Sequence, residues 1–166
     1  MTPADWLLLL VALDAPAAGL EPVRVQKALF LLAREGGLPR SERYWFLPYN
    51  YGPMSPRIYR DVDVLVRRGL LERLPVPGYT WGRVRATEEG RRRAERLVSV
   101  ATARERRGLE ALRGIRALVT SLSFAELLET IYERHPQYAV KSVFRRSPTA
   151  SGGDAPRGGV RRGGRR

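Results

Sequence analysis

The side chains that could carry catalysis are few, and their spacing does not assemble them. The one histidine, His135, directly precedes Pro136 at the end of an apolar-periodic stretch, where a helix cap fits better than a base or a ligand. Two carboxylate pairs occur, Glu126 with Glu129 and Asp61 with Asp63. The first pair shares one side of a helix but has no His, Lys or metal-ligand set nearby to divide acid and base roles. The chain has no cysteine, which removes disulfides, thiolate metal sites and a cysteine nucleophile. It also has no phosphate loop, no G-x-S-x-G elbow and no zinc spacing. The expectation is a protein that is not an enzyme, with no catalytic residue, metal or cofactor.

What the chain holds in quantity is arginine. Lys and Arg total 30 against 17 Asp and Glu, a formal charge of +13, and only Lys27 and Lys141 are lysines. Such an excess points to a polyanionic partner. A preference for Arg over Lys also follows from GC-rich coding, so position has to decide. From Arg145 onward seven arginines face Asp154 alone, which puts nearly half of the net charge in a Gly/Arg-rich ending.

Two sets of arginines fall on elements that could present them. Ile58, Val62 and Leu65 make an apolar stripe at helical spacing, and Arg60 and Arg67 then project nearly opposite it, with Arg57 and Arg68 to one side. Arginine there can read guanine edges or hold phosphates. The competing reading is a solvated face, which Asp61 and Asp63 favour. Arg83 and Arg85 alternate along a strand and share a face, joined by Tyr79 and Trp81, with Arg73 on the neighbouring strand. That aromatic-plus-arginine surface is the better candidate for phosphate contact. Arg91, Arg92, Arg93 and Arg96 crowd a helix start that prefers anions, and Glu88, Glu89 and Glu95 offset them.

The stretch Tyr49–Arg60 (Y-N-Y-G-P-M-S-P-R-I-Y-R) must position these residues. Gly52-Pro53 predicts a tight turn, and Ser55-Pro56 an N-cap followed by proline in the first helical position. The helix runs over about 56–68. Leu70–Leu74 and Tyr79–Ala86 read as a hairpin tipped by Pro75–Gly78. Upstream, Thr2-Pro3-Ala4-Asp5 starts a buried helix reaching about Asp14, followed by a linker over 15–20. Glu21-Pro22 opens another with Val25, Leu29 and Leu32 inward, ended by Gly36-Gly37. Tyr44–Pro48 reads as a short edge strand, and Tyr44, Trp45, Phe46, Tyr49 and Tyr51 as an aromatic cluster mostly in the core. Tyr49 or Tyr51 would hold the turn or rim a partner surface.

Downstream, Thr87-Glu88-Glu89 caps a segment in which Ala94, Val98, Ala101, Glu105, Gly108, Leu112, Ile115, Val119 and Leu122 keep 4-3 spacing. Glu105 and Gly108 break a uniform coiled coil. The prediction is one long helix weak near Gly108, or two helices meeting there, packed on the body or on a second copy through 88–122. Ser123 to Glu126 is a capping box for a helix ending at His135, and Tyr138–Phe144 adds a turn with Val140, Val143 and Phe144 inward. Residues 145–166 lack core-forming side chains and read as a disordered basic tail, able to bind nucleic acid by charge. Trp6–Leu13 is too short to cross a bilayer and has no basic flank before it, so no membrane span or secretory signal is expected and a cytoplasmic location is the default.

Val25-Gln26-Lys27-Ala28-Leu29-Phe30-Leu31-Leu32, then Tyr49-x-Tyr51-Gly52-Pro53-Met54-Ser55, Asp61-x-x-x-Leu65 and Gly69-Leu70-Leu71 resemble the YwgA-like proteins. More distantly they are similar to the Panacea domain of SocA-like antitoxins. Ile131 to Val140 is similar to the ending of the first group. The resemblance covers 23–144. It implies a small winged-helix-like module acting through contacts and brings no catalytic residues.

The expected fold is therefore mainly α with a small β-hairpin, a winged helix-turn-helix-like core over 1–86, further helices over 87–144 and the tail over 145–166. The expected function is DNA-binding transcription regulation through Arg57, Arg60, Arg67, Arg68, Arg83 and Arg85. Tyr49, Tyr51, Gly52, Pro53 and Ser55 form the turn that sets them. The alternative is an antitoxin- or adaptor-type module that binds a protein partner and no specific DNA.

Overall fold

A computed structural model describes residues 1–13, 18–77 and 79–143, without the side chains of residues 79–81. The expected tail over 145–166, and Phe144, lie outside the described residues. Among those described, six α-helices and two two-stranded antiparallel hairpins follow one another in an α+β arrangement that is mainly helical.

Two buried helices form the centre. In α1 (Pro3–Ala12) the Thr2 hydroxyl accepts from the Asp5 N–H, and the Asp5 carboxylate accepts from the Thr2 N–H, the reciprocal cap its sequence predicts. Trp6 through Ala12 are all buried, so α1 has no solvent stripe. In α2 (Pro22–Glu35) every residue from Val25 to Ala33 is buried, including the polar Gln26 and Lys27. Helix α4 (Glu88–Ser99) packs on α1, and α5 (Ala103–Ser121) packs on α2.

The break between α4 and α5 is displaced from where the 4-3 spacing puts it. Two helices meet, but at 100–102 and not at Gly108. The Thr102 hydroxyl accepts from the Glu105 N–H while the Glu105 carboxylate takes the Thr102 N–H at 2.9 Å, so a capping box starts α5 there. Glu105 also accepts from the Met1 amino group at 2.6 Å. Its carboxyl is held down at about 2, chiefly by that bond and by Thr102. Gly108 lies inside α5 where it crosses α1, and a Cβ there would stand 2.7 Å from Trp6 Cη2. The seam faces inward: Ala94, Ala101, Glu105, Gly108, Leu112, Ile115 and Val119 are buried within this one chain.

Around the central pair lie the short hairpin β1 (Leu47–Tyr49) and β2 (Gly52–Met54), then α3 (Pro56–Arg67), then β3 (Leu71–Val76) and β4 (Tyr79–Ala86). An isolated antiparallel bridge joins Leu20, between α1 and α2, to Val84 of β4, with both N–H···O distances 2.8 Å. Helix α6 (Phe124–Arg134) has the Ser123–Glu126 capping box and ends at His135. A 3₁₀ turn over Pro136–Tyr138 follows and corrects the expected last turn. Its three-residue spacing sends Tyr138 inward, its ring 4.7 Å from that of Phe30, and leaves Val140 and Val143 exposed. No described helix is long and apolar enough to cross a membrane.

Candidate nucleic-acid interface

The junction between the first hairpin and α3 sets the angle at which α3 is presented, and α2 holds it. The turn falls on Asn50-Tyr51, two residues before the Gly52-Pro53 pair expected to form it. Gly52, at φ 79°, closes the turn opposite Tyr49. Pro53 then sits in β2 facing Pro48, a pairing that suits two residues without N–H groups because alternate antiparallel pairs exchange no bonds.

Ser55 departs from its expected role. Proline follows it at the first helical position, but its hydroxyl makes no capping bond. Gln26 of α2 takes both main-chain groups of Ser55 instead: the Ser55 N–H donates to Gln26 Oε1 at 2.9 Å, and Gln26 Nε2 donates to the Ser55 carbonyl at 3.0 Å. One residue along α2, Lys27 Nζ donates to the Pro53 carbonyl at 3.0 Å. Gln26 and Lys27 are 2% and 3% exposed, so these bonds satisfy groups that water cannot reach. Burial pushes the Lys27 ammonium down to about 7. Replacing Gln26 by Leu is expected to cost about 2 kcal/mol, because two buried main-chain groups are left without partners. Urea unfolding checks this, and a variant as stable as wild type would show the clamp to be dispensable.

On α3 the stripe faces inward as expected, with Ile58, Val62 and Leu65 buried. The two acids that weaken a nucleic-acid reading are both engaged. Asp61 accepts from the Tyr44 hydroxyl at 2.7 Å and lies 3.5 Å from Arg57 Nε, whose guanidinium is over the Tyr44 ring. Burial, together with the Asp61 contact, pushes the Tyr44 phenol upward. Asp63 pairs with Arg73 of β3. Arg60, Arg67 and Arg68 remain exposed with no ion pair among the described residues.

The second hairpin is arranged differently from what strand alternation alone predicts. The register sets Glu72 opposite Arg85, Arg73 opposite Val84 and Leu74 opposite Arg83. Arg83 and Arg85 do share a face, but Arg73 lies on the other one, with buried Leu71, Val84 and Ala86. Arg83 is 3.1 Å from Glu21 and Arg85 is 3.0 Å from Glu72. The Tyr79 and Trp81 side chains of the expected surface lie outside the described residues. At the start of α4, Arg91, Arg92 and Arg96 pair with Glu88 and Glu89, so that face is a Glu-laced solvated one.

The aromatic cluster divides. Tyr44 and Phe46 are core, with Phe46 edge-on to Phe30 at 5.3 Å, while Trp45, Tyr49 and Tyr51 are exposed. Among the described residues, no hydrogen bond from the Tyr49 or Tyr51 hydroxyl to the turn occurs. The Val143 N–H holds it instead, donating to the Asn50 carbonyl at 2.9 Å. The Gln26 and Lys27 clamp is the feature that the sequence signals most weakly: two polar residues adjacent on a helix otherwise apolar from Val25 to Ala33.

No protein-family model matches the chain, and no curated protein is significantly similar to it. No group of three or more His, Cys, Asp or Glu placed to hold a metal ion occurs among the described residues.

Proposed function

We propose that this protein is a non-catalytic DNA-binding regulator of the winged-helix type, with α3 as the recognition helix. The order helix, bridged strand residue, helix, helix, hairpin supports the fold reading. With the Leu20–Val84 bridge counted as a third strand position, α1, Leu20, α2, α3, β3 and β4 follow in winged-helix order, and the first hairpin is an insertion between α2 and α3. The observation that carries the functional reading is the division of charge on α3. Asp61 and Asp63 are neutralised within the chain, while Arg60, Arg67 and Arg68 stand exposed and unpaired among the described residues. Arg57 keeps more than half of its side chain in solvent.

Gel retardation of genomic DNA fragments by the full chain tests this. Replacing Arg60 and Arg67 together by Glu should weaken retention at least about tenfold. It should also lower the slope of log affinity against log salt by about 2, close to one for each phosphate that is no longer neutralised. Unchanged retention and slope would remove α3 from the interface.

A second reading is an antitoxin- or adaptor-type module with a protein partner. It is favoured by the second hairpin, where Arg73, Arg83 and Arg85 are all engaged in ion pairs within the chain. A wing committed to phosphates would leave them free. A partner bound with no retention of any DNA fragment would select this reading.

A further inference from the structure

We infer that Arg57 reads a guanine edge, aimed by Asp61 and the buried Tyr44, an inference that rests on the DNA-binding reading above. Arg57 stands in the first turn of α3, and in helix-turn-helix proteins the N-terminal residues of the recognition helix meet base edges. Two side chains hold it there. The Tyr44 hydroxyl donates to Asp61 Oδ2 at 2.7 Å, and Arg57 Nε lies 3.5 Å from the same oxygen. The Arg57 guanidinium carbon is also 5.9 Å from the centre of the Tyr44 ring. Tyr44 is 5% exposed, so the anchor of this set belongs to the core.

The contacts divide the guanidinium. Asp61 engages Nε, while the Nη1–Nη2 fork makes no hydrogen bond among the described residues and 57% of the side chain is exposed. That fork is the part that can meet guanine O6 and N7 together. Arg73 and Arg83 pair through Nη2, so their forks are committed within the chain. Arg60, Arg67 and Arg68 have no ion pair among the described residues to aim them. They suit phosphates, which position a protein on the duplex without specifying sequence. An acid beside DNA repels the backbone, so Asp61 lowers affinity. Its contribution is direction, because a guanidinium already oriented loses less freedom on meeting one base.

Selection from a pool of random duplexes by the full chain, followed by titration of the selected duplex, tests this. The selected sites should share a guanine. Replacing that base by deazaguanine, which lacks the N7 acceptor, should weaken wild-type binding about tenfold. Arg57→Lys keeps the charge but not the fork, so it should bind the natural and deaza duplexes alike, with the salt slope unchanged. Tyr44→Phe removes only the hydroxyl and should lower the discrimination about threefold while circular dichroism and the salt slope stay as they are. Arg60→Lys should discriminate as wild type does. A shared guanine that Arg57→Lys still discriminates as well as wild type overturns the assignment, as do selected sites with no guanine in common. In either case the chain still binds DNA and α3 holds phosphates only. A chain that retains no duplex at any salt fails the DNA-binding reading itself, and the assignment with it.

Discussion

Gly90→Ala should lower the melting temperature by roughly 10 °C, the opposite of what this substitution does in an ordinary helix. An exposed helical glycine replaced by alanine normally gains about 1 kcal/mol through the unfolded chain's reduced freedom and the better propensity. Gly90 lies in the first turn of α4, where that helix crosses the start of β3. An added Cβ would stand 1.9 Å from the Leu70 carbonyl oxygen and 2.9 Å from its carbon. Those are main-chain atoms, and the same oxygen accepts the Thr87 N–H at 3.1 Å, so it cannot move without loosening the cap of α4. Overpacking against such a fixed neighbour costs about 3 kcal/mol, and each kcal/mol shifts the melting point of a chain this long by about 3 °C. Gly114 is the internal control. It is also helical, but an added Cβ would meet nothing within 4 Å, so Gly114→Ala should raise the melting temperature by a few degrees. Thermal melts of the two variants moving in the same direction would contradict the packing described at Leu70.

Lys27 should make the fold more stable in mild alkali. Its folded pKa is about 7 against 10.5 for the free side chain, with burial as the cause. Below about pH 7 both folded and unfolded chains carry the proton, and the full cost of an ammonium shut away from water is present. Between about 7 and 10.5 the unfolded chain holds a proton that the folded chain has released, so stability climbs with pH. Above that window neither state is charged and the penalty is gone. The limiting slope is about 1.4 kcal/mol per pH unit, so roughly 2.5 kcal/mol should be gained from pH 7.5 to 9.5. Lys27→Met removes this titration, so the difference in unfolding free energy between wild type and variant should change by that amount across the interval. Parallel stability curves for the two proteins would mean that Lys27 is solvated or paired when folded. The neutral amine still donates to the Pro53 carbonyl, so deprotonation leaves the junction intact.

How well these features could be read in advance depended on how local their causes are. The starts of α1 and α6 were legible because Thr2–Asp5 and Ser123–Glu126 carry both halves of their caps within four residues. The start of α5 carries the same signal at Thr102 and Glu105, but it is masked by a longer apolar periodicity that runs through it. Gly108 looked like the flaw in that pattern because the indole of Trp6, which fills the space, comes from the far end of the chain. The inward stripe of α3 followed from spacing alone, and so did the outward arginines. Their pairing did not. Whether Arg73 joins Arg83 and Arg85 depends on cross-strand register, and a register shift between Leu74 and Val76 accompanies Pro75. Gln26 and Ser55 are 29 residues apart, so only the folded chain brings them together. The exposure of Trp45 beside buried Tyr44 and Phe46 is what extended backbone imposes on three consecutive aromatics, since neighbours point to opposite sides.

The hold of Gln26 and Lys27 on the strand entering α3 bears on the thermodynamics of association. A presenting helix that must settle into place on contact surrenders conformational entropy at that moment, and affinity falls accordingly. Here that strand is already fastened from behind in the isolated chain by two neighbouring residues of α2. If α3 meets DNA as proposed above, the strand leading into it is already bonded in place, and little ordering of that junction is left to oppose binding.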